Sequence, residues 1–146
     1  MAIKVSDVLA RKGHGVVTVA PHQTVAALVV TLTENRIGAV PVIDSSGGLA
    51  GIISERDVIH GMARHGMAVL AMPVEQLMTR EVRTCAPDDP VVELMEVMTL
   101  QRIRHLPVMR GGELAGIVSI GDVVKQRLGE AQFELETLRG YISSAG

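Results

Sequence analysis

"GIISERDVI", Gly51–Ile59, is answered 65 positions later by "GIVSIGDVV", Gly116–Val124. Both copies keep Gly-Ile-apolar-Ser-x-x-Asp-Val. An apolar run of strand character meets Ser-x-x-Asp, and a second apolar pattern starts there. Working outward, "VVTVAP" (16–21) pairs with "VRTCAP" (82–87), and "NRIGAVPVID" (35–44) with "QRIRHLPVMR" (101–110). "GGLAG" and "GELAG" lead into the two copies of the motif. "VSDVLAR" (5–11) answers "VEQLMTR" (74–80) at a larger offset, because "KGHG" (12–15) is inserted in the first copy. Self-similarity over most of a chain is the mark of a repeat architecture.

Within each repeat the hydrophobic periods can be read. Val25, Leu28, Val29 and Leu32 stand at i, i+3, i+4 and i+7, as do Val91, Leu94, Met95 and Met98, the spacing of a buried helical stripe. Thr24 is placed to cap the first helix, and Asp89-Pro90 to open the second, since proline suits a first helical position. "AVPVI" and "HLPVM" read as strands, "DSSGG" and "RGG" as turns, and "LAGIIS" and "LAGIVS" as returning hairpin strands. A helix follows each Ser-x-x-Asp. The expected unit is strand–helix–strand–strand–helix, an α/β fold in which two units too small to bury enough alone pack as a pseudo-two-fold pair. The expected boundaries are 1–66 for the first repeat, 67–73 for a linker, 74–127 for the second repeat and 128–146 for a C-terminal helical extension.

Composition narrows the function. At 47% hydrophobic, with Phe133, Tyr141 and no tryptophan, the core must be built from aliphatic side chains and methionine. Few aromatics argue against a base-stacking platform for single-stranded nucleic acid. Fourteen basic against sixteen acidic residues, a net charge of −2, give no global pull toward nucleic acid or an anionic membrane. Cys85 is the single cysteine, which leaves no intrachain disulfide and no cysteine-based zinc site, and reads as a small buried hydrophobe. "MAIKVSDVLA" lacks the apolar core of a signal peptide, and no apolar run reaches membrane-spanning length, so a soluble cytoplasmic protein is expected.

Taken alone, Ser-x-x-Asp is close to a capping box, in which Ser and an acid three residues on satisfy open N–H groups at a helix start. Its place, where a hairpin strand hands over to a helix N-terminus, also suits an anion, and an Asp fixed there can accept two hydrogen bonds from a vicinal diol such as a ribose. The doubled T-x-x-P, apolar-Pro-Val strand and Gly-apolar-apolar-Ser-x-x-Asp strings over residues 3 to 127 resemble a tandem pair of cystathionine-β-synthase (CBS) domains, a Bateman module. They are most similar to the small stand-alone bacterial pairs.

That resemblance implies a regulatory module that binds adenine nucleotides (AMP, ADP or ATP, with NAD(H) as a further ligand) without consuming them. It implies that Asp57 and Asp122 hold the ribose hydroxyls of two separate ligands, with Ser54 and Ser119 beside them. Thr18 with Val19, and Thr84, would offer backbone groups to an adenine edge. Ile37, Gly38, Ala39, Val40 and Pro41, and Ile103, Arg104, His105, Leu106 and Pro107, would wall each adenine. Arg104 and His105, replacing Gly38 and Ala39, would make the second site the more cationic reader of phosphate, with Arg56 and Arg102 as further candidates. With an imidazole pKa near 6.5, His105 would tighten phosphate binding toward about pH 6.

Nothing in the sequence nominates a catalytic triad or nucleophile. His14, His22, His60 and His65 lack the spacing of a metal-ligand pair, and the paired glycines lack the Lys-Ser/Thr of a P-loop, so they read as surface residues and turns. No enzyme, no metal, no nucleic acid and no membrane are expected. The alternatives are a structural dimerisation module with vestigial pockets, or a nucleotide-processing enzyme. Val124, Leu128, Ala131, Leu135, Leu138 and Ile142 step by four and three, a heptad seam. It either folds back on its own pair or joins a second copy in a homodimer, and a regulated partner protein is expected beyond that.

Overall fold

In the computed structural model, residues 3–13 and 15–145 are described, without the side chains of 143–145. The order is α1 (Val5–Lys12), α2 (Val25–Asn35), β1 (Ala39–Ile43), β2 (Leu49–Ser54), α3 (Glu55–His65), 3-10 turns at Gly66–Ala71 and Val74–Gln76, α4 (Val91–Gln101), β3 (His105–Arg110), β4 (Glu113–Ser119) and α5 (Ile120–Ala145). β1 pairs antiparallel with β2, and β3 with β4, each hairpin carrying a bulge at the same place, after Val42 and after Val108. The mixed α/β pair of repeats with a C-terminal helix is therefore present. The strand registers set Ala39 opposite Ser54 and His105 opposite Ser119, which brings each Ser-x-x-Asp beside the start of its own hairpin.

The first strand of each expected unit shrinks to one residue. Val19 donates to the Pro41 carbonyl and accepts from Ile43 N–H, at 3.1 and 2.9 Å; Cys85 repeats this with Pro107 and Met109 at 3.0 and 2.8 Å. Parallel pairing would next require an N–H from Pro41 on one side of Val19 and from Pro21 on the other, and proline has none. Pro107 and Pro87 flank Cys85 in the same way. The prolines of the repeat thus limit the ladder to a single bridge on either side.

Two aliphatic cores form, and they do not follow the sequence boundaries. Val25, Leu28, Leu32, Val40, Val42 and Ile53 pack with Val69, Val74 and Met78, while Leu94, Met98, Leu106, Val108 and Val118 pack with Val5 and Val8 from α1. Backbone hydrogen bonds fasten these lead-in segments symmetrically. Val74 and Glu75 N–H reach the Gln23 and Pro21 carbonyls at 2.8 and 3.0 Å, and Val5 and Ser6 N–H reach Asp89 and Pro87 at 2.9 Å each. Residues 3–9, from the head of the chain, thereby complete the second body. The stretch expected as a linker, 67–73, is packed structure in which Val69 is fully buried.

Local expectations hold with two corrections. Thr24 caps α2, its hydroxyl accepting from Ala27 N–H at 3.2 Å. Asp89 does not cap α4: it accepts from Ala86 N–H at 2.8 Å, and Pro90 stands at the N-cap, one residue earlier than expected. Val29 is exposed, so the buried stripe of α2 is Val25, Leu28 and Leu32. Gly47, Gly111 and Gly112 have positive φ, as their turns require. Cys85 is buried, and burial first, then Asp89, pushes its thiol up to about 12. His22, His60 and His65 lie on the surface; His14 lies outside the described residues.

Gly51 and Gly116, the first letters of the repeated motif, are the points of closest approach. A Cβ on Gly51 would stand 2.6 Å from the Thr79 carbonyl oxygen, whereas one on Gly116 would meet Leu9 Cδ2 at 2.7 Å. Leu9 can turn its methyl away; the backbone at Thr79, bridged to Ile52, cannot. Gly51→Ala is expected to lower stability by about 1–3 kcal/mol, the range for overpacking. Gly116→Ala should cost clearly less, and paired urea denaturation curves give the comparison.

Candidate functional site

Each Ser-x-x-Asp is a capping box. Ser54 N–H donates to Asp57 Oδ2 at 2.9 Å and Asp57 N–H to Ser54 Oγ at 3.3 Å; for Ser119 and Asp122 the distances are 2.9 and 3.1 Å. The residue after each Ser is tied to the hairpin entry, Glu55 N–H to the Gly38 carbonyl and Ile120 N–H to the Arg104 carbonyl, both at 2.9 Å. Strand entry and helix entry are therefore held together in each body, and the carboxylate is presented at their junction.

Asp57 opens onto a cleft of about 230 Å³ that runs between the two bodies. Gly38, Ala39, Ile52, Ser54, Glu55, Arg56 and Asp57 line one side; Thr79, Glu81, Val82 and Arg83 follow, and Arg102, Ile103, Arg104 and His105 face them from the second repeat. Gly38 meets the second repeat here, since a Cβ on it would lie 3.6 Å from His105 Cε1. Among the described residues none of the four guanidinium groups enters an ion pair. Arg102 ends α4 in the left-handed conformation, φ +54°, as Arg36 ends α2 at +53°. Backbone strain of this kind persists where surrounding structure imposes it.

Asp122 is differently placed. Lys12 Nζ lies 2.7 Å from its Oδ2 and 2.9 Å from the Ile117 carbonyl oxygen. Burial pushes this carboxyl up, but hydrogen bonds from Lys12 and from Ser119 outweigh burial and hold it below its ordinary value. Among the described residues, no group of three or more His, Cys, Asp and Glu is arranged to hold a metal ion. No described helix is long and apolar enough to cross a membrane.

The family model of the CBS domain matches residues 5–64 and again 74–129. The chain belongs to the CBS-domain family. A CBS-domain containing protein of Agrobacterium tumefaciens superposes with a TM-score of 0.84 at 46% identity, over 87% of this chain and 95% of that one. The mitochondrial CBS domain-containing protein CBSX3 of Arabidopsis thaliana is 35% identical over 94% of this chain and 71% of its own length. The CBS domain pair of protein MJ0100, solved with 5′-methylthioadenosine and S-adenosyl-L-methionine, superposes with a TM-score of 0.80 at 25% identity, over 89% of this chain and 99% of that one.

The CBS cleft gathers Gly38, Ala39, Ser54, Arg56 and Asp57 with Arg102, Ile103, Arg104 and His105, residues the sequence assigned to two separate ligands. Val19, Val40, Pro41, Leu106 and Pro107 are buried core residues. Thr18 lines a shallow depression with Ser46–Gly48 and Gly112–Ala115, Ile37 lines another with Arg36, and Thr84 is exposed. Sequence reasoning missed Ile52, Glu55, Thr79, Glu81, Val82, Arg83 and Lys12. The signal for two of them was available: only three of the four residues 12–15 are surplus, and the "VSDVLAR"/"VEQLMTR" register, run one residue further, sets Lys12 against Glu81, a cation against an acid. The expectation for His105 is corrected. Burial, then Lys12, lower its pKa from the ordinary imidazole value; Arg104 acts in the same sense, and Asp122 and Glu55 act the other way, so the neutral ring is favoured. Protonation that favours an anion therefore needs a lower pH than a free imidazole would.

Lys12→Met should raise the Asp122 pKa, read by NMR titration of its carboxyl. Because the folded value is depressed, the stabilisation it represents is present above about pH 3.9 and disappears as pH falls through the folded pKa. The stability difference between wild type and variant should accordingly be seen at pH 7 and vanish at strongly acidic pH.

Proposed function

We propose that this CBS pair is a non-catalytic regulatory module that binds an adenine nucleotide, AMP, ADP or ATP, in the cleft at Asp57. The observation that carries the reading is the pairing of a helix-fixed carboxylate with unpaired guanidinium groups across one cleft. Asp57 accepts from Ser54 through Oδ2, which leaves Oδ1 to complete a two-point contact with a ribose diol. Arg104, Arg102, Arg83 and Arg56 offer planar forks matched to phosphate oxygens, and the half-buried ring of His105 lies among them. The adenosine-containing ligands of the MJ0100 pair support an adenosine moiety, and NAD(H) has the same moiety. We place the protein in the cytoplasm, with a regulated partner protein receiving the signal.

We further propose a homodimer joined along α5. Leu128, Leu138 and Ile142 are 64%, 55% and 61% exposed, so the described residues leave these seam positions uncovered, which supports a seam with a second copy. In a parallel pair of α5 helices, Glu134 would stand at a g position facing Arg139 at the e position of the other copy, an opposite-charge contact.

Asp57→Ala should weaken AMP binding about ten- to a hundredfold, the loss of charge-assisted hydrogen bonds to a carboxylate. Arg104→Ala should erase most of the preference for AMP over adenosine while adenosine affinity holds. Calorimetry on the folded variants decides both; equal weakening of the two ligands by Arg104→Ala would make that residue a wall rather than a phosphate reader. A chain ended after Lys125 should bind AMP as before but dimerise less tightly, as sedimentation at several concentrations would show.

A further inference from the structure

The two Ser-x-x-Asp motifs are alike in sequence and unlike in space. Among the described residues no cation pairs with Asp57, whereas Asp122 holds Lys12 Nζ at 2.7 Å, and the same ammonium donates to the Ile117 carbonyl at 2.9 Å. The matching carbonyl of the first repeat, Ile52 O, accepts instead from the Thr79 backbone N–H at 2.9 Å. The difference begins in the lead-in segments. α1 stays helical through Lys12, while its counterpart is a 3-10 turn that ends at Gln76 and lets the following chain bridge Ile52. In the second repeat a side-chain ammonium takes the place that main chain holds in the first. It lies between the strand carbonyl and the carboxylate.

An ammonium–carboxylate contact is charged on both sides and is stronger than a contact to the neutral hydroxyls of a ribose. A diol approaching Asp122 must therefore displace Lys12 and leave its ammonium with the Ile117 carbonyl alone. Removing one partner of such a pair is the costly step. At Asp57 no displacement is needed. We propose that Lys12 is an internal occupant of the second Ser-x-x-Asp motif, so that each chain takes one nucleotide, at Asp57, until Lys12 is removed from Asp122. This rests on the reading of the Asp57 cleft as a nucleotide site.

The test counts AMP bound to the full chain by calorimetry and native mass spectrometry. Wild type should bind one AMP per chain, and Asp57→Ala should weaken that one event about ten- to a hundredfold. Lys12→Met should bind two, and Lys12→Gln is the second variant should the first misfold. Adding Asp122→Asn to Lys12→Met should return the count to one, and Lys12→Arg should stay at one. Asp122→Asn alone should leave the single event of wild type unchanged. Two AMP per wild-type chain, or one in both folded Lys12 variants, overturns the internal-occupant role and leaves the cleft at Asp57 standing. No AMP bound by any of these proteins overturns the nucleotide reading and this inference with it.

Discussion

Each body of this protein is closed by backbone hydrogen bonds to a segment that lies outside its own repeat unit. Val74 and Glu75 close the first on Gln23 and Pro21, and Val5 and Ser6 close the second on Asp89 and Pro87. A half-chain hairpin with two helices has too little apolar surface to stand alone, so these docked segments complete the cores, with Val74 and Met78 in one and Val5 and Val8 in the other. Because the second body takes its closing segment from the head of the chain, its folding spans nearly the whole sequence. Everything else follows from this docking: the cleft between the bodies, the close approach at Gly51, and the reach of Lys12 to Asp122.

The prolines act as limits on that scheme. Pro21 and Pro41 around Val19, and Pro87 and Pro107 around Cys85, leave one parallel bridge where a longer ladder would otherwise grow. A longer third strand would straighten the entry to each hairpin. With the ladder stopped, the chain is free to turn at Gly38 and Arg104, and the carbonyls there bind the first N–H groups of α3 and α5. Hairpin entry and helix entry are thereby held together, and the capping box presents its carboxylate at the junction. One constraint thus shapes the strand pattern and positions the site.

A shared motif does not give equivalence of site. Glu81 replaces Lys12 in register, and Arg104 and His105 replace Gly38 and Ala39. The outcome, among the described residues, is one cleft in which neither Asp57 nor the guanidinium groups enter an ion pair, and one carboxylate already paired with Lys12. Lys12 also bears on His105, where with burial and Arg104 it disfavours the imidazolium against the pull of Asp122 and Glu55. The fixed positive charge of the cleft is that of its arginines, Arg56, Arg83, Arg102 and Arg104.

Much of the fold was legible from sequence, because it is written in short-range patterns. Helical stripes, hairpin turns, the Thr24 cap and the doubled Ser-x-x-Asp depend on neighbours within a few residues, and the repeat doubled each signal. Val29 and Asp89 departed from those patterns: the chain left one facing solvent and bonded the other to Ala86. The candidate site was legible as a set of residues but not as an arrangement. Asp57 and Arg104 were singled out, yet assigned to different ligands, because their meeting in one cleft depends on how two bodies pack and not on spacing. Lys12 was visible as a mismatch with Glu81, but a lone lysine at the head of a glycine-rich stretch has no period to betray its contact. By itself the sequence determined the repeat, its elements and the chemistry available; tertiary structure alone decided which carboxylate is left free, since that turns on a contact between residues 110 positions apart.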